Sequence, residues 1–304
     1  MSDTMNYLKA LRRFGAAVGF AGVAAFAFAA GSAQAQQIET LVPGTLTVGM
    51  LGDMPMTGLK DGKVIGTDGD LIVKIAETLG LKVEPKSLDW NSLIQATTQG
   101  QVDVLIGSVG WTEERSKVML LSDPVYYFGT FLIQKKTNNW TKFSDMKDKV
   151  VGTVTGFTLV PELKTVEGIG EVKLYDTQDG VMRDVVAGRL DMGILDPALV
   201  EYAIKQHPEW EIHQLAVEPV ADKFPIMSKK YHSIFASPMT RKPLADAINA
   251  EIAKLWADCS NVKSMAAFGL GAKSWFEPPL PDYRGGIDRP AGWAPPVAPD
   301  SCFQ

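Results

Sequence analysis

Histidine and cysteine are scarce, with three of the first and two of the second in 304 residues. His207, His213 and His232 form no H-x-x-x-H or H-E-x-x-H pair, so no helical zinc site is written into the chain. There is no G-x-S-x-G nucleophile turn, no Cys–His pairing and no phosphate-binding P-loop. Basic residues are outnumbered by acidic ones, 30 against 35, and lie scattered, which argues against nucleic acid as a partner. Beyond residue 30 no apolar run is long enough to span a bilayer. What remains is the composition of a folded protein, 46% hydrophobic and 21% charged, with length for about two domains. No metal or other cofactor is implied.

The first 35 residues read as a secretory signal peptide. Lys9, Arg12 and Arg13 supply a positive start, Gly15–Ala30 is uncharged and apolar, and Ala33-Gln34-Ala35 is a small-x-small cleavage site. The run is short and rich in Ala and Gly, which favours cleavage after Ala35 over a transmembrane anchor. Arg12-Arg13-Phe14 loosely resembles a twin-arginine signal. Export to the periplasm places the mature chain in an oxidising compartment, where Cys259 and Cys302 are expected to form one disulfide; two free thiols are the alternative.

Strands and helices then alternate. Thr45–Met50, Leu81–Lys86 and Val102–Ile106 read as strands, with helices over Gly69–Leu79 and Asn91–Gln99 between them. Such βαβαβ alternation predicts a mostly parallel sheet flanked by helices. The run Tyr126–Gln134 is long enough to cross to a second body, where the pattern restarts: strands at Val150–Val154, Glu171–Tyr175 and Leu190–Leu195, helices over Gln178–Ala187 and from Pro197 to about Gln206. Phe224–Ser228 reads as an extended segment returning the chain, followed by helices over Lys242–Ala257 and Val262–Phe268. The expected division is 36–134 and 224–277 for a first lobe, 135–223 for a second, and 278–304 for a Pro- and Gly-rich tail without period, lying on the surface.

Val102–Arg115 is the stretch with the clearest chemistry. A buried strand feeds a small-residue turn, Gly107–Gly110, then Trp111 and a helix start at Thr112. Free N–H groups at a helix start and an Arg one turn in form a grip for a carboxylate; a capped helix with a surface Arg is the plainer reading. Asp196 before Pro197 is likewise a good helix cap.

Several segments, in this order, resemble one family. Gly66-Thr67-Asp68-Gly69-Asp70-Leu71 matches a G-x-D-x-D-L signature, Asp89-Trp90-Asn91 an aromatic-wall segment, and Gly100-Gln101-Val102-Asp103 a G-x-x-D. Thr112-Glu113-Glu114-Arg115 matches T-x-E-R, Phe128–Lys135 a first hinge strand, and Gly188-Arg189-Leu190-Asp191 with Leu195-Asp196 the second-lobe strand and its terminal Asp. Over about residues 44–276 the chain resembles the amino-acid-binding periplasmic proteins of ABC importers, the family-3 extracellular solute-binding group.

That resemblance implies an α/β, two-lobed type II periplasmic-binding-protein fold, with two hinge crossings and the ligand in the cleft. It implies a monomer that delivers an amino acid or related carboxylate to a membrane-embedded ABC permease. Arg115 would take the ligand carboxylate, helped by backbone N–H groups near Ser108 and Gly110. Asp196 would take the α-ammonium, Trp90 would wall the side chain, and Thr158 would close from the second lobe. Trp111, Phe157 and Asp53 complete the candidate set, and Asp53 faces a cationic or hydroxylated group or merely caps a turn.

Gly110 stands where many relatives carry Thr, Met56 where an aromatic is usual, and Phe157 in a turn usually built from small residues. With Met54, Trp90 and Trp111 these suggest an apolar or aromatic ligand side chain. Two rivals stand beside this reading. One is an exported enzyme on the same fold, arogenate- or prephenate-dehydratase-like; the other is a receptor sensor module.

Overall fold

The computed structural model describes residues 38–304, and the expected signal peptide lies outside them. The first strand, β1 (Thr45–Met50), is buried along nearly its whole length. A short hairpin, β2 (Gly58–Lys60) and β3 (Lys63–Ile65), occupies the following loop. α1 (Thr67–Thr78) then turns Leu71, Ile72, Ile75 and Ala76 inward, at the i, i+3, i+4 spacing of an amphipathic helix. β4 (Lys82–Ser87) and β5 (Val104–Gly110) pair in parallel with β1 on either side. Between them runs α2 (Trp90–Thr98), capped by Asp89, whose carboxylate accepts the Ser92 N–H.

β5 departs from expectation. The small residues Gly107–Gly110 read as a turn, yet the strand runs through them to Gly110. The cause is a later strand, residues 231–238, which pairs antiparallel with it and sets Ser233 opposite Gly110 and Ile234 opposite Val109. After β5 come α3 (Glu113–Ser116), β6 (Met119–Leu121) and β7 (Tyr126–Phe128).

The chain crosses at Gly129-Thr130. β7 belongs to the first sheet, and β8 (Phe131–Lys135) to a second. The second sheet adds β9 (Val150–Val154), α4 (Val160–Leu163), β10 (Glu171–Tyr175) and α5 (Gln178–Val186). β11 (Met192–Gly193), α6 (Pro197–Gln206) and β12 (Ile212–Ala216) complete it. Its order is β10-β9-β11-β8-β12, with the first three parallel and β8 antiparallel to β11 and β12.

The expected extended run Phe224–Ser228 is instead a helical turn, α7 (Pro225–Ser228). Pro225 sits at its first position, where a missing N–H costs nothing, and Phe224 and Met227 pack with Phe143 and Met146 of the second body. Only then does β13 (Tyr231–Pro238) return to the first sheet, followed by α8 (Lys242–Ala257) and α9 (Ser260–Ala267). The result is a two-lobed α/β fold of type II, with two chain crossings between its sheets.

The C-terminal segment, mostly exposed or half-buried along its length, is held to the rest of the chain by a few anchored side chains. Arg284 is fully buried, pairs with Asp288 at 2.6 Å and donates to the Ser122 carbonyl at 2.9 Å. Arg289 holds Asp123 at 2.7 Å, and the Tyr127 hydroxyl donates to the Pro296 carbonyl. Cys259 and Cys302 are joined in the expected disulfide, 43 residues apart.

Closing a loop of that length removes chain entropy worth about 4 kcal/mol from the unfolded state, and measured values commonly fall to about half of that. Replacing both cysteines by serine is therefore expected to cost about 2–4 kcal/mol in denaturant unfolding of the oxidised protein. An unchanged midpoint would show that the buried Arg284 already pins the segment alone.

Candidate functional site

A cavity of about 60 Å³ lies between the two sheets. From the first sheet it is lined by Trp90, Ser108, Gly110, Arg115, Phe128 and Tyr231; from the second by Phe157, Thr158, Leu159, Gln178, Leu195 and Asp196. The residues arrive at the carboxyl ends of β5 and β9 and just after β11, where open α/β sheets place their ligands.

Arg115 is positioned by its own turn. The Thr112 hydroxyl accepts the Arg115 N–H at 3.1 Å and caps α3. The guanidinium donates one bond, to the Gly110 carbonyl at 2.7 Å, and lies 5.1 Å from the Trp90 ring centre. No carboxylate among the described residues forms an ion pair with it. Burial pulls its pKa down to about 10, so it remains charged.

Asp196 comes from the other sheet. Its carboxylate caps α6 by accepting the Ala198 N–H at 3.1 Å, so the cap reading is correct. It also lines the cavity, with 8% of its surface exposed and no cation within reach among the described residues. Burial pushes its pKa up to about 7, with the nearby carboxylates of Asp68 and Asp53 adding to the rise and the Ala198 N–H it accepts opposing it.

Asp68, within the G-x-D-x-D-L segment but given no role from sequence, holds β5 from behind. It is fully buried and accepts the N–H groups of Gly107 and Ser108, each at 3.0 Å. Gly107 lies between these two peptide units with φ 106°, a backbone conformation that glycine adopts without strain. This corrects the expected anion grip: the Ser108 N–H is already engaged. Ser108 instead faces the cavity with a buried hydroxyl that lacks a hydrogen-bond partner among the described residues. Burial raises the Asp68 pKa to about 6.

The other expected residues divide. Trp90, Gly110, Arg115, Phe157, Thr158 and Asp196 meet at the cavity, and Phe157 sets its ring edge-on to Trp90 at 6.2 Å. Trp111 does not reach it: its ring packs on Tyr283, and its indole N–H donates to Asp288 at 2.9 Å. Asp53 is outside the lining and accepts from Gln178 at 3.2 Å, while burial raises its pKa. Met56 is in the core, so the apolar wall comes from Trp90, Phe157, Leu159, Phe128 and Tyr231.

Two hydrogen bonds tie the lobes together beside the cavity. One runs from the Trp90 indole N–H to the Gly156 carbonyl at 3.2 Å, the other from Gln178 to Asp53. Gly156 is required here. Its φ is 84°, and a Cβ would collide with the Asn91 side-chain oxygen. Gln178, Phe128 and Tyr231 were not foreseen as cavity residues; nothing in their local sequence marks them.

With this geometry in hand, comparison with known proteins is decisive. The model of the bacterial extracellular solute-binding proteins, family 3, matches residues 46–266. The chain belongs to this family. It is 30% identical over 158 residues to the L-cystine-binding protein TcyJ of Escherichia coli, covering 50% of this chain and 59% of that one. It is 31% identical over 175 residues to the arginine-binding periplasmic protein of Mannheimia haemolytica, covering 57% and 69%. The alignments thus span only part of each relative's length. Among solved structures, an ancestral arginine-binding protein bound to glutamine superposes with a TM-score of 0.66 at 29% identity, covering 76% of this chain and all of the other. The family-3 chain carries its C-terminal segment beyond the matched residues.

Proposed function

We propose that this protein is an exported solute-binding protein that captures a free amino acid and delivers it to an ABC importer in the membrane. The observation that carries the reading is one cavity lined by the Arg115 guanidinium from the first sheet and the Asp196 carboxylate from the second, neither in an ion pair among the described residues. A zwitterion loses both hydration shells on burial and needs an opposite charge for each end. With the two partners on different lobes, ligand contact favours the closed form, the body of residues 135–223 moving against the rest. The names of related proteins, which bind cystine or arginine, agree with an amino-acid ligand. Synthesis with a signal peptide cut after Ala35 puts this capture in the periplasm.

Calorimetric titration of the mature chain against the twenty amino acids tests the reading directly. Binding of none of them, nor of any small carboxylate, would end it.

The acidity of Asp196 adds a second test. An ammonium ligand requires the ionised carboxylate, and the free protein holds a proton there below about pH 7. The ligand must then displace that proton. The dissociation constant is expected to rise by roughly tenfold per pH unit from pH 7 toward pH 5 and to stay level from pH 7 to 8. For the ligand-free fold the sign is opposite. A carboxyl raised above its unfolded value of 3.8 contributes stability below about pH 4 that is lost as pH climbs through 7. Titrations at four pH values check the slope; a flat affinity from pH 5 to 8 would remove Asp196 from the ligand's ammonium.

A further inference from the structure

The C-terminal segment meets the binding site from behind without touching the cavity. Tyr283 is the first point of contact. Its hydroxyl accepts the His232 N–H at 3.0 Å and donates to the Lys230 carbonyl at 3.0 Å. It therefore fixes the peptide units on both sides of Tyr231, the residue that lines the cavity and stacks on Phe128 at 5.2 Å. This is also where the chain makes its second crossing between the lobes, ahead of β13.

Asp288 is the second point. It is oriented by the buried Arg284 through two bonds, 3.1 and 2.6 Å, and it accepts the Trp111 indole N–H at 2.9 Å. The Trp111 backbone N–H in turn donates to the His232 carbonyl at 2.9 Å. Trp111 lies between Gly110, whose carbonyl holds the Arg115 guanidinium, and Thr112, whose hydroxyl holds the Arg115 amide. The Lys229 ammonium sits 5.0 to 5.7 Å from the ring centres of Tyr283, Tyr231 and Trp111, so the same aromatic group joins segment, crossing and the end of β5.

We propose that the C-terminal segment is a strap that sets ligand affinity, with Tyr283 and Asp288 as positioning residues for Tyr231 and Arg115. Neither touches a ligand. Their effect is preorganisation: a site held in its bound geometry before the ligand arrives loses less freedom on binding. A segment that served only to stabilise the fold would change melting and leave the affinity of the folded fraction alone.

The affinity arm of the test rests on the amino-acid-binding reading; a second arm does not. Tyr283→Phe and Asp288→Asn, each nearly isosteric, are made in the mature, disulfide-bonded chain, with Lys273→Ala as a control that breaks only the surface pair with Asp300. L-Arginine and L-glutamine are titrated into each protein, and melting is followed in parallel. The expected result is a dissociation constant at least tenfold higher in both variants for whichever probe binds the parent, with the control unchanged. Values within twofold of the parent in both variants overturn the proposal, however far melting falls. Should neither probe bind the parent, the functional reading is what has failed for them, and amide exchange in the ligand-free chain decides about the strap. Exchange at Arg115 and Ser116 at least tenfold faster in Asp288→Asn supports it; unchanged exchange overturns it.

Discussion

Replacing Arg115 by alanine is expected to weaken amino-acid binding by two to four orders of magnitude while leaving the fold intact. Removing one member of a buried, hydrogen-bonded charge pair costs about 3–5 kcal/mol, because the other charge stays behind unpaired. On the proposed reading that charge is the ligand's carboxylate. One Arg115 donor is committed to the Gly110 carbonyl, and the others have no protein partner among the described residues, so the side chain contributes little to stability without ligand. Arg115→Lys should recover only part of the loss, since an ammonium lacks the planar fork that meets both carboxylate oxygens. Asp196→Asn is the companion experiment. Asparagine still caps α6, so the change removes the charge and keeps the helix start. Titration calorimetry with a melting curve for each variant separates the terms. Near-parental affinity in Arg115→Ala would mean that the carboxylate lies elsewhere.

A comparably large effect is expected far from the cavity. Arg284→Ala should lower unfolding stability by about 3–5 kcal/mol in denaturant titration. Arg284 is the largest fully buried side chain among the described residues. It fills a slot between Trp111 and Trp293, 5.6 and 5.4 Å from their ring centres, and its removal leaves both a void and the half-buried Asp288. Burial lowers its pKa while the paired Asp288 holds it up. Arg284→Lys should fail to rescue, as the three bonds to Asp288 and Ser122 need the guanidinium's geometry. A loss under about 1 kcal/mol would show that Arg289, 3.4 Å from Asp288, suffices for the pair.

Much of this architecture was legible in the residues. β1, β9 and β10 lie at the bounds read from the sequence, and α8 matches its amphipathic period to the residue. The alternation of segments gave two α/β bodies, and the ordered motifs gave the family. Arg115 and Asp196 do meet at one cavity.

The misses share a physical cause. Gly107–Gly110 is extended because β13, more than 120 residues later, supplies hydrogen bonds that no local window contains. Trp111 is covered by Tyr283 and Asp288 of a segment still more distant. That segment has no period because its order comes from isolated anchors, Tyr283, Arg284, Arg289 and Cys302, rather than from a repeating apolar face. Asp68 stood inside a motif, but its work, holding two amides of β5, depends on a chain reversal that the motif does not show.

The bonds from Trp90 to Gly156 and from Gln178 to Asp53 bear on residence time. Neither needs a ligand, so both must break whenever the lobes part. At about 0.5–1.5 kcal/mol each, they would lengthen the dwell of a molecule held in the cleft by roughly fivefold to 150-fold without distinguishing one occupant from another. Escape is slowed for good and poor ligands alike. Discrimination then falls to the cavity's charges and walls, and unloading in good time falls to whatever pulls the lobes apart.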